Sequence, residues 1–278
     1  MSRRLLIVDA DTGEFVDGRA TSRETLEAMA RAKAKKQQIS SKFAKYGNFY
    51  WLFYDIQKPL FEGNIDSATV TRLIYLATYM SYNDNKQLQF DNGNPIMRKD
   101  LEKVLGLSST STKYFLRQCK AHRLLAIDDS GIYVTAPMSK GKLTPKQKRD
   151  DDAIRIYISA VRELYKKTDE ITRKNLSYLF SILPWVNRQY NIVCSNPEEK
   201  DQEQIKPLST LELANLVGCN DANIRRFKTG LRNIEIDGAV AVSWVVNNLK
   251  KEKLFINPSL YYAGMDPEKV EILGNFCK

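Results

Sequence analysis

The chain has 278 residues, enough for two domains, and 43% of them are hydrophobic, which excludes a disordered chain. Lysine and arginine number 43 against 33 aspartates and glutamates, a formal net charge of +10 that favours a polyanionic partner, nucleic acid before acidic membrane. Four cysteines without a Cys-x-x-Cys pair and a lone histidine, His122, argue against a zinc site, and no signal peptide or long apolar run is visible, so a soluble cytoplasmic protein without a cofactor or membrane partner is expected.

Residues 3–16 place two apolar runs around Asp-Ala-Asp-Thr-Gly, a hairpin signal. Asp9 and Asp11 could open a calcium loop, but Gly13 stands where the third ligand belongs, so a turn is expected. Thr21 or Ser22 can cap a helix running to about residue 38. Its charges, Arg31, Lys33, Lys35 and Lys36, make a basic arm, either simply solvated or touching phosphates. Hairpin and helix form an N-terminal segment, 1–48. Phe-Tyr-Trp-Leu-Phe-Tyr at 49–54 is the densest aromatic run. With no interleaved Arg or Lys it suits a core or a dimer surface better than base stacking, and it is expected to open a helix into a first domain, 49–138. Val70, Leu73, Ile74 and Ala77 mark an apolar helix over 67–82, and 88–90 reads as a short strand.

Residues 95–125 organise the first domain. Leu101, Val104 and Leu105 fall at i, i+3, i+4 of one helix, Gly106 follows as a helix-ending glycine, and Ser108 can cap the next helix. In that second helix Thr112, Phe115, Leu116 and Cys119 form a stripe to be buried, while Thr110, Lys113, Tyr114, Arg117 and Lys120 face outward. This is a helix-turn-helix layout. Two apolar runs around Asp-Asp-Ser-Gly then make a hairpin, the wing of a winged helix. Residues 139–152, with Lys140, Lys142, Lys146, Lys148 and Arg149, read as a basic linker.

The second domain, 153–278, is expected to begin with helices over 154–167 and from 172 to about 183, followed by a polar insertion at 196–206. Over 208–237 the first pattern returns. Leu213 lies 112 positions after Leu101, and at that one offset Leu216 meets Val104, Val217 meets Leu105, Gly218 meets Gly106, Asn220 meets Ser108 and Phe227 meets Phe115. Either stretch alone fits an ordinary helical hairpin; two in register point to a duplicated unit. Asn223, Arg225, Arg226, Thr229 and Arg232 face outward on the second copy, where Gly230 costs about 1 kcal/mol against alanine and loosens the helix. Strands over 239–246 and 253–257 form a longer wing with Asn248, Lys250, Lys251 and Lys253 near its tip, and 261–277 forms a tail that packs back.

Catalytic signatures are missing. Gly141-Lys142 has neither the earlier glycine nor the following Ser or Thr of a Walker A loop, which argues against an ATP-driven motor. One histidine excludes a nicking site built on paired histidines, and Tyr261 and Tyr262 alone do not suggest a tyrosine recombinase. Asp128 and Asp129 lie in a hairpin turn, and no nucleophile stands with a base. A binding protein, not an enzyme, is expected.

The early Thr12-Gly13-Glu14 turn, one winged helix, and the ending Leu-Phe-Ile-Asn-Pro-Ser-Leu-Tyr-Tyr-Ala-Gly at 254–264 resemble the RepL-like replication initiators of plasmids and phages. The duplication is similar to two-domain plasmid initiators that bind iterated origin repeats. The resemblance implies origin or operator DNA as ligand and no cofactor. The resulting expectation is a mainly α fold with small β-hairpin wings, arranged as tandem winged helix-turn-helix domains, that binds double-stranded DNA sequence-specifically in replication initiation or transcriptional regulation. Lys113, Tyr114 and Arg117, and Asn223, Arg225 and Arg226, would reach base edges, with Thr110 beside them. Lys99, Lys120, Arg232, Lys250 and Lys251 would hold phosphates. The competing expectation is a winged-helix interaction factor that captures a host replication or transcription protein through residues 49–54 or the second wing. A homodimer is compatible with either.

Overall fold

A computed structural model describes residues 7–8, 15–16, 23–44, 46–53, 65–82, 85–141, 153–169, 173–246, 252–264 and 266–277. The chain divides into two compact units, Met1–Lys45 and Tyr46–Lys278. In the first, β1 (Ile7–Val8) pairs antiparallel with β2 (Phe15–Val16), Ile7 opposite Val16, as the two apolar runs lead one to expect. The intervening turn, with Asp9, Asp11 and Thr12-Gly13-Glu14, lies outside the described residues. Helix α1 (Arg23–Ala44) runs further than expected. Arg31 and Lys33 are exposed on it, and Arg31 pairs with Glu27 at 3.5 Å; the side chains of Lys35 and Lys36 lie outside the described residues.

The second unit opens with β3 (Phe49–Phe53) and α2 (Ser67–Ala77). A 3-10 turn, Arg98–Asp100, leads into α3 (Leu101–Leu105), followed by α4 (Ser109–Ala121). Hairpin β4 (Leu125–Asp128) and β5 (Gly131–Val134) comes next, then β6 (Met138–Ser139). After β7 (Ala153–Tyr157) the chain passes without a loop into α5 (Ile158–Lys167), then α6 (Arg173–Ile182). Beyond the polar insertion stand α7 (Thr210–Leu216), the 3-10 turn Asp221–Asn223 and α8 (Ile224–Arg232). Strands β8 (Glu235–Ile236), β9 (Ala239–Val240), β10 (Val242–Val246), β11 (Glu252–Ile256) and β12 (Tyr261–Tyr262), and helix α9 (Pro267–Gly274), complete it.

A four-stranded antiparallel sheet ordered β12-β7-β3-β6 joins both halves of the sequence. In the β3–β7 pair Tyr50 faces Ile156 and Leu52 faces Ile154, all four fully buried on one side. On the other side Arg155, 5% exposed, lies with its guanidinium 5.6 Å from the Phe49 ring and 5.1 Å from the Trp51 ring and donates to the Gly264 carbonyl at 2.7 Å. That environment serves a buried charge: a cation over two aromatic faces with a carbonyl to accept its hydrogen bond. Tyr50 ties the sheet to α2 by donating its hydroxyl to Ile74 O at 3.0 Å. The helix expected to start in the aromatic run is therefore a strand. Aromatic residues suit a pleated surface, and here alternate side chains point to opposite faces. The same period of two makes 153–157 a strand where a helix start was expected.

These strands also overturn the mainly α, tandem winged helix-turn-helix architecture. The protein is a mixed α/β fold with small antiparallel sheets, and the two halves are joined strand to strand instead of standing as separate domains. What survives is local. Gly106 ends α3 in the left-handed region at φ 61°, and Gly218 follows α7 at φ 71°. Ser108 Oγ accepts from Ser111 N, and Asn220 Oδ1 accepts from Ala222 N. Thr112, Phe115 and Cys119 are buried on α4, as are Phe227 and Leu231 on α8. Leu216, expected inside, is exposed at the last residue of α7. Hairpin β4–β5 turns at Asp128, whose carboxylate accepts from Ser130 N and Gly131 N. Hairpin β10–β11 pairs Val242 with Ile256 through Val246 with Glu252.

Helices α2 and α6 pack on each other. Tyr75 of α2 stacks on Tyr165 of α5, centroids 3.9 Å apart and planes 7° apart. Asn191, buried at φ 51°, donates to Ile256 O at 3.0 Å and Tyr261 O at 2.8 Å, pinning the β10–β11 hairpin to the chain entering β12. Among the described residues no helix is long and apolar enough to cross a membrane, and no group of three His, Cys, Asp or Glu could hold a metal ion.

Candidate nucleic-acid interface

Two basic faces emerge, each on a helix backed by another. Helix α4 lies against α2, and α8 lies against α6. On α4 the buried stripe of Thr112, Phe115 and Cys119 turns the opposite side to solvent, so Thr110, Lys113, Tyr114, Arg117 and Lys120 are all exposed. The Arg117 guanidinium stands 5.1 Å from the Tyr114 ring, and Gln118 Nε2 donates to the Tyr114 hydroxyl at 3.1 Å. These contacts hold the tyrosine against the helix and leave the guanidinium donors outward. Lys99 is exposed on the 3-10 turn before α3, a turn fixed by Met97 N donating to Asp100 Oδ2 at 2.9 Å. Burial pushes the Cys119 thiol up to about 12, so the only sulfur on α4 is inert.

On α8, Asn223, Arg225, Arg226 and Arg232 are exposed. None of the basic residues placed on either face forms an ion pair among the described residues. An open groove of about 830 Å³ runs beside α8, walled by Asn175 and Tyr178 of α6 and by Asn220, Arg225, Arg226 and Asn233. Arg232 faces elsewhere: its guanidinium lies 5.2 Å from the Trp244 ring. Trp244 Nε1 donates to Thr210 Oγ1 at 3.2 Å, and that hydroxyl donates to Glu252 Oε2 at 2.8 Å. Glu252 also pairs with Lys228. The Lys228 hydrogen bond holds the Glu252 carboxyl below its ordinary range. This network clamps β10–β11 onto α7 and α8.

Sequence reasoning missed Asn175, Tyr178 and the Lys228–Glu252 pair. Asn175 and Tyr178 lie some fifty residues before α8 with no local motif to mark them, and Glu252 meets Lys228 only because β11 returns to α8. It also missed a packing role of Gly230. That residue is buried, and a Cβ there would come 2.5 Å from Asn175 Oδ1, so the glycine permits the close approach of α6 and α8. Lys250 and Lys251 lie outside the described residues. No known protein family, curated protein or solved structure matches the chain.

Proposed function

We propose that the chain binds double-stranded DNA sequence-specifically, as a replication initiator or transcriptional regulator of a phage or plasmid, and acts in the cytoplasm as a binding protein and not a catalyst. The observation that carries this reading is the α4 face, where Lys113, Tyr114, Arg117 and Lys120 are exposed together and form no ion pair among the described residues. A net charge of +10 adds the long-range attraction such a partner needs. Arg117 and Arg225 suit guanine edges and Asn223 an adenine edge, while Lys99 and Lys120 suit phosphates. The competing host-protein reading loses support at one point: the 49–53 run lies in the central sheet, with Tyr50, Leu52 and Phe53 buried.

The test is selection from a random duplex pool at about 0.15 M salt, followed by sequencing. Enrichment of a defined site is expected. Arg117→Ala and Arg225→Ala should each lose about 1–3 kcal/mol and relax one base position. A folded protein that enriches no sequence, or variants whose preference is unchanged, would refute the assignment.

A further inference from the structure

We propose that the chain binds a phosphate group, free or on a small ester, in the cavity where α2, α5 and α6 meet, with Arg72 and Arg173 as its cationic clamp. The proposal stands apart from the DNA reading and uses none of its residues.

The cavity holds about 340 Å³ and is lined by Ser67, Thr71, Arg72, Tyr165, Arg173 and Ser177, without a carboxylate. Its apolar wall is rigid. The Tyr165 ring stacks on Tyr75, and its hydroxyl donates to Leu105 O at 3.0 Å. The Arg173 guanidinium lies over the same ring at 4.6 Å. Arg72 lines the cavity beside this tyrosine, and both arginine charges act to lower the Tyr165 pKa against the larger upward effect of its burial. Two guanidinium groups thus share one tyrosine and one cavity. Neither forms an ion pair among the described residues. The acid beside Ser67, Asp66, is already used: its two oxygens accept from Thr69 N at 2.9 Å and Thr69 Oγ1 at 2.6 Å.

Arg173 Nε is buried and has no hydrogen-bond partner among the described residues. A buried donor left unpaired is costly, and two nearby like charges add repulsion. One dianion removes both costs. Planar guanidinium forks match the tetrahedral oxygens of phosphate. The Ser67 hydroxyl, on the first turn of α2, offers a further donor, whereas the Thr71 hydroxyl is committed to Ser67 O at 2.8 Å. The volume exceeds that of a bare phosphate and leaves room for a small ester.

Inorganic phosphate is titrated into the full chain by calorimetry, with chloride holding ionic strength constant. Saturable one-to-one binding is expected. It should weaken about tenfold or more in Arg72→Gln and in Arg173→Gln, and recover partly in Arg72→Lys, which restores charge but not the fork. Thermal unfolding of the unaltered protein should shift upward with phosphate, a readout that needs no variant to fold. Absence of binding up to about 10 mM would overturn the proposal, as would binding that neither substitution changes. Duplex DNA affinity separates the two sources of phosphate. Unchanged DNA binding in Arg72→Gln supports a free-phosphate site. Lost DNA binding with no phosphate binding would reassign the arginines to the DNA backbone and refute the site.

Discussion

Replacing Gly230 by alanine sets two terms of similar size against each other. Alanine favours the helical state of α8 by about 0.8–1.0 kcal/mol over glycine. Its Cβ would lie 2.5 Å from Oδ1, 2.7 Å from Cγ and 3.0 Å from Nδ2 of Asn175. All three atoms belong to the end of one side chain, which makes no hydrogen bond among the described residues. Asn175 can therefore turn away, at about 0.5–1.5 kcal/mol for leaving its rotamer. The terms nearly cancel, so Gly230→Ala should change stability by less than about 0.5 kcal/mol, read as the midpoint shift in urea at constant slope. In an Asn175→Ala background the obstruction is gone, and the same substitution should stabilise by about 0.8–1.0 kcal/mol. If Gly230→Ala instead loses more than about 2 kcal/mol in both backgrounds, α6 and α8 meet through more than Asn175, and the reasoning fails.

Other substitutions probe the core, the clamp on the second hairpin and the basic faces. Phe115→Ala removes a fully buried ring from beneath α4 and should cost about 3–5 kcal/mol in chemical denaturation. Asn191→Ala orphans the carbonyls of Ile256 and Tyr261 and should cost about 2–4 kcal/mol, seen as a lower thermal midpoint. Glu252 has a folded-state pKa below its ordinary value of 4.5. Its pairing with Lys228 therefore contributes stability above that value and loses it as pH falls through the lower folded one. The stability gap between the unaltered protein and Glu252→Gln should be widest near neutral pH and close in acid; a gap independent of pH would refute the pairing. Lys120→Ala should weaken DNA binding evenly across sequences and reduce the salt slope by about one.

Local features of the fold were legible in the sequence to the extent that their causes are local. Gly106 and Gly218 announce left-handed residues, Ser108 and Asn220 announce caps, and Asp-Asp-Ser-Gly announces a turn, because each acts within a few bonds. The outward set on α4 follows from the spacing of Thr112, Phe115 and Cys119 alone. The architecture was not legible, because it depends on pairings between distant segments. Nothing near Phe49–Phe53 says that its neighbours are Ala153–Tyr157 and Met138–Ser139. Arg155 looks like a solvent residue until Phe49, Trp51 and Gly264 close around it. The duplicated spacing was misleading for a physical reason: repeated helix ends constrain only helices, and the strands that join the halves carry no such repeat. The cavity at Arg72 and Arg173 was equally invisible, since its residues come from three helices.

The placement of β3 between β6 and β7 bears on how the protein can be made and dissected. Its pairing with β7 joins residues about a hundred positions apart. A ribosome must therefore extend the chain well beyond β3 before that strand finds its main partner, and β12 closes the far edge only when Tyr262 has emerged. Until β7 has emerged, Phe-Tyr-Trp-Leu-Phe keeps an unpaired edge, the kind that recruits other chains. The halves of the second unit should thus resist separate expression, with a piece ending near residue 141 prone to aggregate. Co-expressed as two fragments, however, they carry complementary edges of one sheet and can reassemble.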